Sequence, residues 1–261
     1  MNDQPFVLNT RNGGVVTLTL NRGERYNPLS REMISALQAE LDTLAEDRTA
    51  RVVILAAAGK GFSAGHDLKE MLTHAGQELW QEGLFGECSR MMVDLTRLPQ
   101  PVIARVHGIA TAAGCQLVSM CDLAVAADTA TFALPGVNIG VFCSTPAVGV
   151  GRNINRKRAM EMLLTGQLFD AKTALEWGLV NQVVPLEKLD EAIDRYVQII
   201  LGRSAEVIEA GKRTFYQQID QPLGEAYGTA GATMVRNLGM EDATEGMSAF
   251  LGKRAPAWKT Q

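Results

Sequence analysis

The chain has 261 residues, of which 46% are hydrophobic and 21% are charged, and its formal net charge is −4. This composition is ordinary for a globular protein with a sizeable buried core. The acidic balance gives no basis for nucleic acid or an anionic membrane as a partner, so an anionic ligand would need a local basic patch. No targeting segment and no membrane-spanning run is visible, and we therefore predict a cytoplasmic protein.

A unit of strand, turn and helix recurs in the first half of the chain. The unit is expected over 15–46, 52–72 and 102–120, with further strands over 122–126 and 130–134. In the first unit Ser30 is placed to cap a helix that ends near Glu46. In the second, Asp67 and Glu70 have the spacing of a capping box on a short helix.

Between the second and third units the segment over 73–86 is polar, contains glycine and has no clear period. We predict a mobile loop there, followed by a helix that begins near Cys88 and ends before Pro99. The four cysteines of the chain lie in apolar or small-residue surroundings without metal-ligand spacing. They are therefore expected to be buried, reduced thiols, and no metal site is predicted.

The last hundred residues read as mainly helical. Helices are expected over 156–165, 171–177, 189–201, 205–217, 224–238 and 243–251, with one strand over 179–184. We predict an α/β core over 1–200 and a helical region over 201–261. A helical tail with exposed apolar faces usually packs on its own core or on a neighbouring subunit.

Two turns built from small residues are the most informative motifs. One spans 61–68 and reads Gly-Phe-Ser-Ala-Gly-His-Asp-Leu; the other spans 107–117 and reads His-Gly-Ile-Ala-Thr-Ala-Ala-Gly-Cys-Gln-Leu. Turns without bulky side chains let a ligand reach backbone N–H groups. Two such turns facing each other would bind one developing oxyanion. A group for proton transfer is harder to identify. Position 116 holds Gln, whose amide does not accept and donate protons as the carboxylate of Glu does.

At these motifs the chain resembles the crotonase family, the enoyl-CoA hydratase/isomerase superfamily. The resemblance runs from 20–22 to 250–254 and also rests on 101–104, 121–122 and 163–166. It implies a right-handed spiral of ββα turns with a helical C-terminal trimerisation region, assembled as a homotrimer or a hexamer. It also implies an acyl-CoA thioester as the ligand, with coenzyme A as part of the substrate and no separate cofactor.

The family polarises the thioester carbonyl with two backbone N–H groups, which by the motif fall here on His66 and Ala113. Losing one such donor typically costs about 3 to 4 kcal/mol of transition-state stabilisation. The resemblance also implies basic residues that reach the phosphates of coenzyme A, namely Arg25 and Lys253. The remaining substrate-binding positions that it implies are Ala64, Gly65, Asp67, Leu68, Gly114, Gly136, Cys143 and Ser144.

The chain departs from the family at its acid–base positions. The two hydratase glutamates fall on Gln116 and Gly136, and a third acidic position, used by isomerases and dehalogenases, falls on Ser144. None of the three is a carboxylate, so ordinary hydration is not expected. Gln116 either satisfies buried backbone groups or orients a water or a carboxylate. Ser144 precedes Pro146 by two residues and is expected to cap a helix.

Three functions remain open. The first is a hydratase/isomerase-like enzyme that stabilises a thioester enolate, with an unusual proton-transfer group such as Glu87 swinging over the thioester. The second is decarboxylation of a malonyl-type acyl-CoA, because a family decarboxylase shares the Ser-Ala-Gly-His-Asp motif; His66 would protonate the enolate, although the decarboxylase's tyrosine partner falls on Cys143. The third is an acyl-CoA-binding protein without catalysis, in which the His66 ring only packs.

Overall fold

The computed structural model describes residues 4–259. Within that range the chain forms nine strands: β1 (Val7–Asn12), β2 (Val15–Leu20), β3 (Val52–Ala57), β4 (Val102–Val106), β5 (Ala110–Thr111), β6 (Leu123–Ala127), β7 (Thr131–Ala133), β8 (Phe169–Asp170) and β9 (Gln182–Val184). It also forms eleven α-helices: α1 (Arg31–Glu46), α2 (Leu68–Thr73), α3 (Glu78–Arg97), α4 (Ala113–Met120), α5 (Ser144–Asn153), α6 (Arg156–Thr165), α7 (Ala171–Trp177), α8 (Leu189–Leu201), α9 (Ala205–Gln218), α10 (Leu223–Leu238) and α11 (Glu241–Leu251).

Six strands form the larger sheet, in the order β1-β2-β3-β4-β6-β9. The β1–β2 hairpin is antiparallel, and the other neighbouring pairs are parallel. Parallel neighbours need long crossover connections, which the helices between them supply. Every residue of β3 is buried, because helices cover both faces of the sheet at this strand.

The two faces of the larger sheet have different partners. On one face Leu18, Leu55 and Ala104 join the main core with α1, α3 and α4. On the other face Ile54 and Val125 pack beneath α8 in a smaller apolar cluster. The strand, turn and helix order predicted for the first half of the chain is confirmed.

The smaller sheet has the order β5-β7-β8 and stands beside the turns that carry the small-residue motifs. Isolated bridges continue it: Ser63 pairs with Ala110, and His66 pairs with Leu29. The motif at 61–68 is therefore held between the turn that precedes α1 and the segment that leads into α4. This pairing brings two motifs that are about 45 residues apart in sequence into contact.

The loop predicted over 73–86 is wrong for most of its length, because α3 begins at Glu78, ten residues before the predicted start. The buried positions of α3, beginning at Leu84 and continuing with Cys88, have helical spacing and pack towards α1. The two glycines within α3 do not interrupt the helix. A β-carbon added to Gly86 would have no atom within 4 Å, and one added to Gly83 would lie 3.2 Å from the Arg31 guanidinium. The sequence period was obscured by polar residues on the outer face.

The predicted helix caps are partly confirmed. Ser30 caps α1, its Oγ accepting a hydrogen bond from Met33 N at 3.3 Å. Asp67 caps α2, its carboxylate accepting from Lys69 N at 3.0 Å. The second half of the predicted capping box is wrong, because the Glu70 carboxylate accepts from Arg31 N at 3.0 Å instead.

The C-terminal helices α9 to α11 were predicted within two residues of their bounds. Their outer faces carry large exposed apolar side chains, among them Phe250 at 83% and Leu251 at 80% exposure. A division of the chain at residue 200 stays a prediction. Among residues 4–259, no helix is both long and apolar enough to cross a bilayer.

A partly buried polar network joins α9 to the core. Lys212 Nζ donates to the Asp122 carboxylate at 2.6 Å and to the carbonyl of Gln100 at 2.9 Å. The Tyr216 hydroxyl donates to the other oxygen of Asp122 at 3.0 Å, and Val102 N donates to the first at 2.7 Å. Burial lowers the pKa of the Lys212 ammonium, against the opposing attraction of Asp122.

Replacing Lys212 with Met keeps the apolar stem and leaves the Asp122 carboxylate without its countercharge. We expect the free energy of unfolding to fall by about 3 kcal/mol, because a buried charge that loses its partner is costly. The measurement is urea denaturation of both proteins. The matched control is Lys259→Met, whose ion pair with Glu241 is exposed and whose loss should leave the free energy of unfolding close to the wild-type value. A loss at Lys212 no larger than in this control would contradict the account.

Candidate active site

A cavity of about 500 Å³ opens beside the start of α4. Its walls come from α2 and α3, from the turn before α4, and from the segment over 135–146. Seven of the residues singled out from the sequence line it: Ala64, His66, Leu68, Ala113, Gly136, Cys143 and Ser144. The lining is mostly apolar, and the described residues that form it include no Asp, Glu, Lys or Arg.

The backbone of the first motif leaves one N–H free at this cavity. Within the described chain the N–H groups of residues 62 to 65 each have an acceptor: Ile109 O at 2.9 and 3.1 Å, Tyr26 O at 2.9 Å and Ser63 Oγ at 3.3 Å. The N–H of His66, the next along the chain, has none among the hydrogen bonds of residues 4–259. Because buried N–H groups are nearly always paired within the protein or with water, an unpaired one at a cavity wall is available to a ligand.

The second motif leaves its free N–H at the beginning of α4. Ala112 N donates to Ala133 O at 2.9 Å, and Gln116 N is the first in the helix to return to the chain, at Ala112 O. Ala113 N, like Gly114 N and Cys115 N in the same first turn, has no acceptor in the described part of the chain, and of these three residues Ala113 is the one that lines the cavity. Ala112 has a φ of +49°, which is strained for a residue with a β-carbon and sets the direction in which the helix starts.

The two motifs touch through their glycines. A β-carbon on Gly65 would lie 3.1 Å from Ala113 N and 2.9 Å from the β-carbon of Ala112. A β-carbon on Gly114 would lie 2.2 Å from the carbonyl oxygen of Ser63. Neither position has room for a side chain, so glycine is required at both for the turns to meet.

The imidazole of His66 is held by its Nδ1 atom, which lies 3.2 Å from the carbonyl oxygen of Leu29. A carbonyl accepts only, so Nδ1 carries the proton and Nε2 is left as an acceptor. Nε2 is buried without a partner among the described residues, and the ring meets Phe85 edge-on at 5.3 Å. Burial lowers the pKa of the imidazole, against the opposing effect of the Leu29 carbonyl, so the ring is neutral at pH 7.

The segment over 136–143 explains why position 136 carries no carboxylate. Val141 N donates to Gly136 O at 3.0 Å, and Gly136 N donates to the Cys143 sulfur at 3.3 Å. A β-carbon on Gly136 would lie 2.5 Å from Val141 O and 2.9 Å from that sulfur. The segment therefore fills the space in which a glutamate at this position would begin.

Six of the residues singled out from the sequence are absent from the lining of this cavity: Arg25, Gly65, Asp67, Gly114, Gln116 and Lys253. Gln116 lies in α4 and is 4% exposed, with its side-chain oxygen unpaired. Arg25 forms an ion pair with Asp67, the residue that caps α2. Lys253 follows α11 with a φ of +52°. Their roles in binding stay predictions.

Two sequence-based expectations for neighbouring residues are wrong. Glu87 does not reach the cavity, because Arg31 Nε donates to its carboxylate at 2.8 Å in the groove between α1 and α3. That contact also lowers the pKa of Glu87, which makes it a weaker base. Ser144 is not a cap: Cys143 occupies the N-cap position of α5, and the Ser144 hydroxyl donates back to Phe142 O at 3.4 Å.

The apolar walls of the cavity were not predicted from the sequence. Phe85 comes from the part of α3 that was expected to be a loop, and Ile139 and Phe142 come from the segment that folds over Gly136. The apolar run at 139–142 was visible, but its position depends on the turn geometry at Gly140, which has a φ of +78°. Within residues 4–259 no group of three or more His, Cys, Asp or Glu has metal-binding geometry.

Replacing Gly136 with Ala tests the packing of the segment over 136–143. We expect the free energy of unfolding to fall by about 1 to 3 kcal/mol, because the new methyl group overlaps a backbone carbonyl. The control is Gly151→Ala in α5, where nothing lies within 4 Å of the added carbon and helix propensity favours Ala by up to about 1 kcal/mol. Equal stability of the two variants would contradict the packing.

The neutral imidazole of His66 makes stability depend on pH. In the unfolded chain it titrates near 6.5, so below that pH the unfolded state binds more protons than the folded state. Stability from this group is complete above pH 6.5 and declines as the pH falls towards the lowered folded-state pKa. His66→Gln should flatten the decline in urea denaturation between pH 5 and 7. Part of the slope should remain, because burial also lowers the pKa of His107. An unchanged slope would contradict the burial of the His66 ring.

Comparison with known proteins agrees with this fold. The model of the enoyl-CoA hydratase/isomerase family matches residues 10–261. Enoyl-CoA hydratase domain-containing protein 3 of Rattus norvegicus is 44% identical over 98% of this chain and 85% of its own length. The crystal structure of a Mycobacterium smegmatis enoyl-CoA hydratase has a TM-score of 0.96 at 52% identity, covering 98% of this chain and 99% of that one. The crystal structure of the human domain-containing protein 3 has a TM-score of 0.93 at 44% identity, covering 98% and 100%.

The comparison corrects one prediction and confirms another. The relatives from rat, Xenopus laevis and human, all 44% identical, are named as mitochondrial proteins. The predicted cytoplasmic location is therefore wrong. It was based on finding no recognisable targeting pattern in the sequence, which carries little information about location. The predicted fold class is confirmed by the superposed structures. The chain belongs to the enoyl-CoA hydratase/isomerase family and has its crotonase fold.

Proposed function

We propose that this chain binds an acyl-CoA thioester, places the thioester oxygen between the N–H groups of His66 and Ala113, and stabilises the enolate without catalysing ordinary hydration. The observation that carries the proposal is the pair of unpartnered N–H groups on touching turns at the wall of an apolar cavity. Resemblance to acyl-CoA enzymes of the same family supports the choice of ligand.

The enolate is stabilised by the backbone alone. When the bond at the α-carbon loses its electron pair to the carbonyl, negative charge collects on the thioester oxygen. Two N–H donors that are already fixed by the fold stabilise that charge without having to reorganise, and each is worth about 3 to 4 kcal/mol in comparable sites. Ala113 is also the first residue of α4, so the positive end of that helix dipole acts on the same oxygen.

Hydration needs groups that this cavity does not offer. Adding water to an enoyl thioester requires a base for the water and an acid for the α-carbon. The titratable side chains among the described lining residues are His66 and Cys143. The His66 Nε2 atom is covered, and burial raises the pKa of the Cys143 thiol, so it stays protonated at pH 7.

Coenzyme A and the assembly form the second part of the proposal. Arg25 lies in the turn before α1 with half of its side chain exposed, and Lys253 follows α11; both are cations that suit the phosphates of coenzyme A. The exposed apolar faces of the C-terminal helices support packing against other copies of the chain as a homotrimer or a hexamer.

A second candidate is decarboxylation of a malonyl-type acyl-CoA. The uncharged lining favours it, because the bond between the α-carbon and the carboxylate breaks and leaves its electron pair as the enolate, so no base is needed. An apolar cavity also removes the hydration that stabilises the departing carboxylate. The α-carbon then needs one proton. His66 would supply it only after its Nε2 atom is uncovered and takes up a proton, because the proton on Nδ1 is held at the Leu29 carbonyl. The third candidate, a silent acyl-CoA-binding protein, rests on the same N–H pair.

The direct test measures binding and turnover together. We expect butyryl-CoA to bind saturably in calorimetry and crotonyl-CoA to keep its conjugated absorbance during incubation, because no carboxylate is available for either proton transfer. A family hydratase run in parallel confirms the assay. Turnover of crotonyl-CoA at the rate of that control would contradict the proposed chemistry, and absence of binding would contradict the acyl-CoA assignment.

Methylmalonyl-CoA distinguishes the second candidate from the third. Release of CO₂ by the wild type, with its loss in His66→Ala and unchanged coenzyme A binding, would establish decarboxylation, since the variant keeps the backbone N–H. No release with saturable binding, and no turnover of enoyl, dienoyl or β-hydroxy esters, is the result expected of a silent binder.

A further inference from the structure

A buried polar layer lies behind the loop that carries the His66 N–H. Asn27 is fully buried, and both the oxygen and the nitrogen of its side-chain amide form hydrogen bonds. Its oxygen accepts from Arg22 N at 2.8 Å, and its amide nitrogen donates to Ala58 O at 2.8 Å and to Gly61 O at 3.0 Å. One side chain therefore joins the turn before α1 to the beginning of the loop.

Ser63 makes the second connection between this turn and the loop. It is fully buried, and its hydroxyl donates to the carbonyl of Asn27 at 2.9 Å while accepting from Gly65 N at 3.3 Å. Two backbone bonds run alongside, from Ala64 N to Tyr26 O at 2.9 Å and from Leu29 N to Gly65 O at 2.8 Å. The loop is thus fixed on this side up to the residue immediately before His66.

The conformation of the turn explains why asparagine stands at position 27. Tyr26 and Asn27 have φ values of +59° and +49°, two consecutive left-handed residues without glycine. Asparagine tolerates this region better than other residues with a β-carbon because its short amide bonds to nearby backbone. Neither Asn27 nor Ser63 belongs to the cavity lining, so both act on the ligand only through the loop.

We propose that Asn27 and Ser63 are positioning residues: together they hold the loop so that the His66 N–H meets the thioester oxygen. This inference rests on the proposed function. An N–H donor must lie within about 2.7 to 3.2 Å of its acceptor and nearly in line with it. A loop released from the turn before α1 loses that alignment at the His66 N–H, while the Ala113 N–H, which belongs to α4, keeps it.

The test compares two ligands that differ only at the carbonyl: butyryl-CoA, a thioester, and S-butyl-CoA, the thioether in which CH₂ replaces C=O. The dissociation constant of the thioether divided by that of the thioester, both measured by calorimetry, isolates the contribution of the carbonyl oxygen. In the wild type we expect the thioester to bind more tightly. In Ser63→Ala the ratio should fall by about fivefold, the worth of one hydrogen bond, with thioether affinity unchanged.

The matched control is Ser119→Ala. Ser119 is buried like Ser63, and its hydroxyl donates to a carbonyl, that of Gln116, at 2.7 Å, but at the far end of α4. Its loss should leave the ratio unchanged. Asn27→Gly is the second test variant, since glycine accepts the left-handed φ and removes the amide; it should lower the ratio as Ser63→Ala does. Denaturation curves identify any variant that does not fold, and the other variant then carries the test.

Each outcome decides something. A lowered ratio in Ser63→Ala or Asn27→Gly, with the control unchanged, supports positioning. A ratio that stays at the wild-type value in a folded test variant overturns the inference, as does an equal loss for both ligands, because a merely structural role weakens thioester and thioether alike. A wild type that does not distinguish thioester from thioether overturns the proposed function itself, which separates the two failures.

Discussion

Gly65 and Gly114 lie where two turns from distant parts of the sequence press their backbones together, so closely that a β-carbon added to Gly114 would lie 2.2 Å from Ser63 O. The rest of the site depends on this contact. It places the N–H groups of His66 and Ala113 on one cavity wall, and the flanking pairing with β5 and with Leu29 leaves both without a partner in the described chain. The strain of Ala112, of the order of 1 to 3 kcal/mol for such a conformation, is offset by this same pairing.

The cavity wall carries the two unpartnered N–H groups and no charged side chain among its described lining residues. The three positions on which the sequence resemblance places acidic residues of the family hold Gly136, Gln116 and Ser144. At Gly136, Val141 O and the Cys143 sulfur fill the space that a side chain would need. The side-chain oxygen of Gln116 is buried in α4 without a partner among the described residues. The Ser144 hydroxyl donates a hydrogen bond to Phe142 O. Two glutamates on helices that line the cavity, Glu70 of α2 and Glu87 of α3, are both bound to Arg31. The proposed oxyanion site, in an uncharged pocket, suits reactions in which the substrate supplies its own electron pair.

The sequence predicted those elements whose signal is local. The buried strands, the caps at Ser30 and Asp67 and the helical tail followed from periodicity and capping residues. It missed the first ten residues of α3, because Gly83 and Gly86 read as breakers when in fact one packs against Arg31 and the other faces open space. Asn27 and the fold of 136–143 were out of reach because their roles depend on long-range contacts and on positive φ values, neither of which leaves a local pattern.

The central claim is that two backbone N–H groups polarise one thioester carbonyl. Isotope-edited infrared spectroscopy of butyryl-CoA labelled with ¹³C at that carbonyl measures this directly, because hydrogen bonds to the oxygen weaken the C=O bond. We expect the stretching band to move to lower wavenumber on binding and to narrow as the oxygen takes one fixed environment. If the band of the saturably bound ligand stays where it lies for the free ligand in water, or moves to higher wavenumber, the two N–H groups do not polarise the carbonyl.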